Sequence, residues 1–234
     1  SGIFLVPREM MQAVGSAGLV YLAWIVGGLL SFFGALTYAE LGAVRPWAGG
    51  EYVYIRDSYG PLGGFLYGWT WFLIAKPASI ATITAGLVRV LSQFQIFHGL
   101  SNTLFTWHIT GARAFTFTNG HLVAIAATVA ITALNYIGVR KAGNFQLALT
   151  ILKVIMIAGI ALVGFTAISG SFSNFSTRFP GAQGGIAGFM AALVAALWAY
   201  DGWNDLNMVS GEIKNPERTI PVALIAGVGL VAVL

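Results

Sequence analysis

The chain has 234 residues, of which 57% are hydrophobic and only 9% charged, against roughly 25% charged residues in an ordinary soluble domain. That balance excludes a water-soluble fold, and the absence of cysteine excludes a disulfide framework and any thiolate metal site. The net charge of +4 does not point to nucleic acid, because the basic residues are scattered between apolar runs and form no patch or stripe.

In chain order, a short apolar piece at residues 3–11 precedes the turn-like Gly15-Ser16-Ala17-Gly18. An uncharged run over residues 18–39 comes next, reaching the roughly 20 residues that carry a helix through a bilayer's hydrocarbon layer. Residues 45–60 hold Arg45, Glu51, Arg56 and Asp57 together with Pro46, Gly49 and Gly50, so they read as a polar connection. A second span is expected over residues 61–95, interrupted by Lys76-Pro77, and then a polar link over residues 97–120. A third span covers residues 121–139, closed by Arg140-Lys141, and a fourth covers residues 142–168. After a Ser-, Asn- and Gly-rich loop at residues 170–185, a fifth apolar helix runs to Tyr200 and meets Asp201-Gly202-Trp203-Asn204-Asp205. A last apolar run starts at Thr219. Only helices and closed barrels satisfy their backbone in lipid, so these lengths imply an all-α membrane protein, with residues 1–234 forming one transmembrane domain in a lipid bilayer. Opening on Ser1 and ending inside an apolar run at Leu234, the sequence is expected to be a piece of a longer chain.

Alternating the spans puts Arg45, Arg56, Arg140, Lys141, Lys214 and Arg218 on one side. Arg8, Arg113 and Arg178 fall on the other, with Arg89 near them. The richer side is expected to be cytoplasmic. Glycines at four-residue spacing, Gly60/Gly64/Gly68, Gly181/Gly185 and Gly184/Gly188, suggest closely packed helices.

Three ionisable residues fall at membrane depth: Lys76, Lys153 and Asp201. Each costs about 2.5–3.5 kcal/mol at a helix centre on insertion scales, so each is expected to face a cavity or a partner. A long side chain can instead snorkel to the interface; that fits Lys76, beside Pro77, better than Lys153, which is centred in residues 142–168. At Leu197-Trp198-Ala199-Tyr200-Asp201-Gly202-Trp203-Asn204, glycine, aromatics and polar groups interrupt an apolar helix. Either the helix breaks there to line a site, or it ends at Tyr200 in a wet loop. A break would aim amides at a carboxylate and freed carbonyls at an ammonium group. Gly2 precedes its next long span by almost as many residues as Gly202 does, consistent with a second break in an inverted repeat. His98, His108 and His121 border one polar link without helix-face spacing and read as solvated loop residues, not metal ligands. No paired carboxylates, nucleophile–base pair or ligand cluster shares a depth, which argues against an enzyme and against a cofactor.

Several motifs resemble those of the amino acid, polyamine and organocation superfamily, and within it a bacterial-type member of the L-type amino acid transporter family. Ser1-Gly2-Ile3-Phe4 is similar to the tail of that family's first-helix Gly-Ser-Gly-Ile motif. Tyr38-Ala39-Glu40-Leu41-Gly42, Arg45-Pro46 and Ala48-Gly49-Gly50-Glu51-Tyr52 look like the end of its second helix and the loop after it. Lys76-Pro77-Ala78-Ser79 matches its third helix. Residues 198–204 match its sixth-helix break, and Glu212-Ile213-Lys214-Asn215-Pro216-Glu217-Arg218 matches the stretch beyond that break. The resemblance implies a LeuT-type inverted-repeat helix bundle, about half of it present, from the break in helix one to the start of helix seven. It also implies an amino acid substrate. Its carboxylate would be bound by the amides of Ser1, Gly2 and Ile3 and its ammonium by carbonyls near Trp198, Ala199 and Asp201, in a site that includes Gly202 and Asn204. Trp198 stands at the family's gating aromatic.

Lys153 matches the fifth-helix lysine that replaces a sodium ion in sodium-independent members, so the resemblance implies sodium-independent exchange. A proton-coupled amino acid or polyamine symporter, with Lys153 as the proton-responsive group, is the alternative. Asp201 departs from the glycine of many neutral-substrate relatives and matches the broad neutral-and-cationic type, while Lys76 would oppose a cationic substrate if it projects into the cavity. Eukaryotic members use a cysteine after helix three to join a heavy chain. This chain has none, so no disulfide-linked heavy chain is expected.

Overall fold

The computed structural model describes residues 2–109, 113–166, 171–175 and 178–233. Eight α-helices are described: α1 (Val6–Val14), α2 (Ala17–Val44), α3 (Glu51–Thr70), α4 (Lys76–Leu91), α5 (Asn119–Ile137), α6 (Val139–Thr166), α7 (Gly185–Tyr200) and α8 (Pro216–Val233). Six helical stretches among the described residues are long and apolar enough to cross a membrane, namely Ala17–Val44, Glu51–Leu91, Asn119–Ile137, Arg140–Thr166, Gly185–Glu212 and Pro216–Val233. The protein is therefore an all-α, multi-pass membrane protein. Its Cα framework divides into two compact units, residues 1–67 with 157–234, and residues 68–156.

The first unit is organised by one stripe on α2. Ala23, Gly27, Ser31, Ala35 and Ala39 recur every fourth residue and are all buried, which places them on one face of the helix. Side chains this small let neighbouring backbones approach closely, as membrane helices require where lipid is as apolar as leucine. The α7 helix answers with its own buried small series, Gly188, Ala192 and Ala196, and the α8 helix with the larger Ile220, Leu224 and Val228. Two cores result. Val6, Met10 and Val14 of α1 close on Ala23, Ala192 and Ala196, while Ala35 and Ala39 close on Ile220, Leu224 and Val228.

Helix α1 ends at Gly15, whose left-handed φ of 72° lets its amide reach Met11 O at 2.8 Å. The stretch of chain before α7 is pinned there, Phe179 N donating to Gly15 O (2.7 Å) and Gly184 N to Ala13 O (2.9 Å).

Two boundaries differ from the sequence expectation in this unit. Helix α2 continues past Ala39 to Val44, because Glu40 is exposed and so costs the last turn nothing. The polar connection at residues 45–60 is partly helical: α3 begins at Glu51 and bends at Gly60, where φ is 82° and ψ 178°. Among the glycines singled out for spacing, Gly60 meets nothing within 4 Å and Gly64 faces Arg56 across that bend, whereas Gly188 of α7 is buried and lies directly against the Ala13 carbonyl of α1.

In the second unit, a π-helical turn at Trp71–Ala75 joins α3 to α4, with Pro77 in the first turn of α4. Proline offers no amide and its ring crowds the preceding turn; the wider π turn absorbs this without breaking the helix. Helix α4 packs on α5, Gly120 lying against Val88. The polar link, expected only as a loop, contains a 3₁₀ turn (Gln95–Ser101) and an antiparallel hairpin of β1 (Thr103–Ile109) and β2 (Arg113–Thr118). Phe105 faces Phe117 and Trp107 faces Phe115 across it, the aromatic cross-strand pairs that stabilise a ribbon. His121 accepts from Thr118 N at 3.0 Å through Nδ1 and so closes a capping box at the start of α5.

Candidate functional site

The apolar helix α7 stops at Tyr200. Asp201 is extended (φ −60°, ψ 150°), Gly202 is left-handed (φ 114°, ψ −7°), and the chain resumes as a 3₁₀ segment, Trp203–Glu212. A Cβ on Gly202 would meet nothing within 4 Å, so glycine is needed there for its backbone angle and not for space. Of the two sequence readings, the break into a second helical segment is the one observed. The last four carbonyls of an α-helix have no partner within it; here those belong to residues 197–200, in the middle of a membrane span.

The chain's first described residues meet the end of α7. Gly2–Phe4 forms a 3₁₀ turn. A Cβ on Gly2 would lie 2.8 Å from Ala199 Cα and 3.1 Å from Trp198 Cε3, so the Gly2 backbone rests directly on that of α7. Trp198 is 40% exposed beside it. Asp201 is also exposed. Ser1 lies outside the described residues.

Both sides of the break are anchored on α2. Before it, Tyr200 packs on Gly27 and Gly28, donates through Oη to Trp24 O at 3.3 Å, and meets the Trp24 ring edge-on at 5.6 Å. After it, Trp203 packs on Gly34, where an added Cβ would lie 2.8 Å from Cη2, and meets the Tyr38 ring at 5.1 Å. Gly28 and Gly34 are six residues apart on one helix, so these anchors are separated by about 9 Å along its axis. One helix therefore sets the spacing between the two helical halves.

The segment after the break is held by polar contacts that the sequence reading did not single out. Glu51, 8% exposed, accepts from Tyr38 Oη (2.8 Å) and Asn204 Nδ2 (2.7 Å) on one carboxylate oxygen, and from Tyr67 Oη on the other. Fully buried Asn207 donates to Tyr38 O (3.0 Å) and Tyr54 Oη (2.8 Å), while its backbone carbonyl accepts from Ser210 Oγ (2.7 Å). In the sequence, Glu51 counts toward loop charge and toward a family motif, and nothing there assigns it to the break. Its place at the start of a helix after Gly49-Gly50, with Tyr52 and Tyr54 nearby, was the available signal.

Thus the structure brings Gly2, Trp198 and Ala199 together beside the break at Asp201 and Gly202, and turns the Asn204 amide toward Glu51. Lys76 and Lys153 belong to the unit of residues 68–156. Lys76 lies over the Trp71 ring, 5.0 Å from its centroid, and Lys153 is half-buried on α6. No cluster of histidine and acidic residues suited to a metal is found among the described residues.

Comparison with known proteins gives a family match, described as amino acid permease, over residues 1–234. The chain is 32% identical over 234 residues to the b(0,+)-type amino acid transporter 1 of Mus musculus, covering 100% of this chain and 45% of that protein. It is 34% identical over 235 residues to the human cystine/glutamate transporter (Homo sapiens), at 100% and 44% coverage. A serine/threonine exchanger of Bacillus subtilis (strain 168) is 33% identical over 242 residues, at 100% and 48%. The chain thus spans about half the length of these relatives.

Proposed function

This chain belongs to the amino acid permease family, and on that premise we propose that the protein it comes from is a sodium-independent exchanger of neutral L-amino acids that also admits cationic ones. It works in the cell membrane by alternating access, without a disulfide-linked heavy chain. The observation that carries this reading is the seating of Gly2 on Trp198 and Ala199 beside the break at Gly202. Amides of Ser1, Gly2 and Ile3 hold the substrate carboxylate, as helix starts favour anions. Carbonyls near Trp198, Ala199 and Asp201 accept from its ammonium group, since helix ends favour cations. Trp198 covers the bound side chain. Both contacts use backbone groups and engage the part common to every amino acid, so selectivity is left to the side chains around them.

Asp201 supplies that selectivity toward cationic side chains, and Lys153 supplies the positive charge that a sodium ion would otherwise bring. The full-length protein reconstituted in liposomes loaded with amino acid tests this. Uptake that depends on internal amino acid and persists when sodium is removed is expected. Strict sodium dependence, or net uptake driven only by a proton gradient, would overturn it. Asp201→Asn is expected to reduce arginine and lysine exchange about tenfold while leaving alanine exchange within about twofold, the scale of one charge-assisted hydrogen bond; unchanged cationic exchange removes the role of Asp201.

A further inference from the structure

Glu51 is a buried carboxylate that none of the substrate contacts above uses. Its three donors come from three stretches of chain: Tyr38 from α2, Asn204 from the 3₁₀ segment two residues beyond Gly202, and Tyr67 from the part of α3 beyond the bend at Gly60. Asp57 on the same helix pairs with Arg45 and Arg56, whereas Glu51 is held by neutral donors.

Burying a carboxylate without a cation is costly, and a merely space-filling role would be met better by an apolar residue. What the carboxylate adds is acceptor capacity for several donors at once, through hydrogen bonds about twice as strong as neutral ones. The Asn204 Nδ2 contact is the one that reaches the break. Asn207, donating to Tyr38 O and Tyr54 Oη, and the Gly49 N to Met208 O bond (3.1 Å) fasten the same segment further along, so its fold does not depend on Glu51 alone.

We infer that Glu51 is a positioning residue for the broken helix: by tying Asn204 to α2 and to α3 beyond its bend, it fixes how the chain leaves Gly202. The direction taken by the end of α7 and its last carbonyls depends on that tie. This inference rests on the reading of the break as the amino acid site.

The test uses the full-length protein in liposomes, with exchange rates normalised to folded protein. Glu51→Ala is expected to raise KM on the order of tenfold, the scale of one charge-assisted hydrogen bond, and to change kcat less. Glu51→Gln, which keeps an acceptor for Asn204 and Tyr38, recovers most of that loss. Asn204→Ala raises KM similarly, and the double variant is no worse than the poorer single one. A purely structural role would lower the amount of folded protein and leave KM unchanged. That result, or full additivity of the two substitutions, overturns the inference. Amide hydrogen exchange without substrate separates the two readings: Glu51→Ala is expected to speed exchange across Trp203–Glu212 and leave α8 unaffected. Faster exchange in a protein that carries no amino acid would support the tie and overturn the transport reading. Normal transport with unaltered hydrogen exchange would overturn the tie alone.

Discussion

Two apolar spans of this protein are interrupted, one at Asp201-Gly202 and one at Lys76-Pro77, and the chain treats them differently. At Pro77 the helix widens into a π turn and continues, so the missing amide is absorbed within one element. At Gly202 the backbone reverses sign, the helix ends, and a second segment starts on a new course. The glycine break leaves carbonyls of residues 197–200 without helical partners at membrane depth. In lipid that is tolerated only where something polar meets them, and the aromatics flanking the break, Tyr200 and Trp203, pack on Gly28 and Gly34. A proline can therefore mark an accommodation and a glycine a true break, although both punctuate an apolar run.

Substitutions on either side of the comparison have different expected sizes. Gly2→Val has the largest, because any side chain there collides with the α7 backbone; exchange in liposomes should fall about a hundredfold, as displacements near 1 Å do at a reacting site. Substantial exchange by this variant would show that Gly2 and α7 need not touch. Gly202→Ala forces a side chain into a left-handed angle at about 1–2 kcal/mol, and exchange is expected to drop roughly tenfold, since about 1.4 kcal/mol is a factor of ten. A neutral result would mean that the break is not held by its glycine. Pro77→Ala is expected to do least, shifting stability by no more than about 1 kcal/mol; a thermal melt and an exchange assay check this. A loss as large as that of Gly202→Ala would make the π turn a functional break as well and dissolve the contrast.

Much of this architecture was legible in the sequence. The apolar lengths set the spans, and the end of α7 at Tyr200 is dictated by an aspartate and glycine that lipid would not accept. Other features were hidden for physical reasons. The α2 stripe is hard to see because alanine and glycine inside an already apolar run add no periodic contrast. Glu51 resembles loop charge, since burial of a carboxylate depends on partners distant in sequence, among them Asn204. The hairpin is masked within a link whose polar residues read as loop, and the extension of α2 beyond Glu40 is masked because a charge at the end of an apolar run looks like a boundary even when it is exposed. Ser1, expected at the site, is outside the described residues, and the expectations for Lys76 and Lys153 come from charge at membrane depth, with the cation-replacing role of Lys153 implied by family likeness.

The most direct measurement is an experimental structure of the full-length protein with an amino acid bound. The ligand carboxylate is expected within hydrogen-bonding distance of the Gly2 and Ile3 amides, with its ammonium group against carbonyls at the end of α7. An amino acid bound elsewhere, or α7 running unbroken through Gly202 in the occupied state, would contradict it.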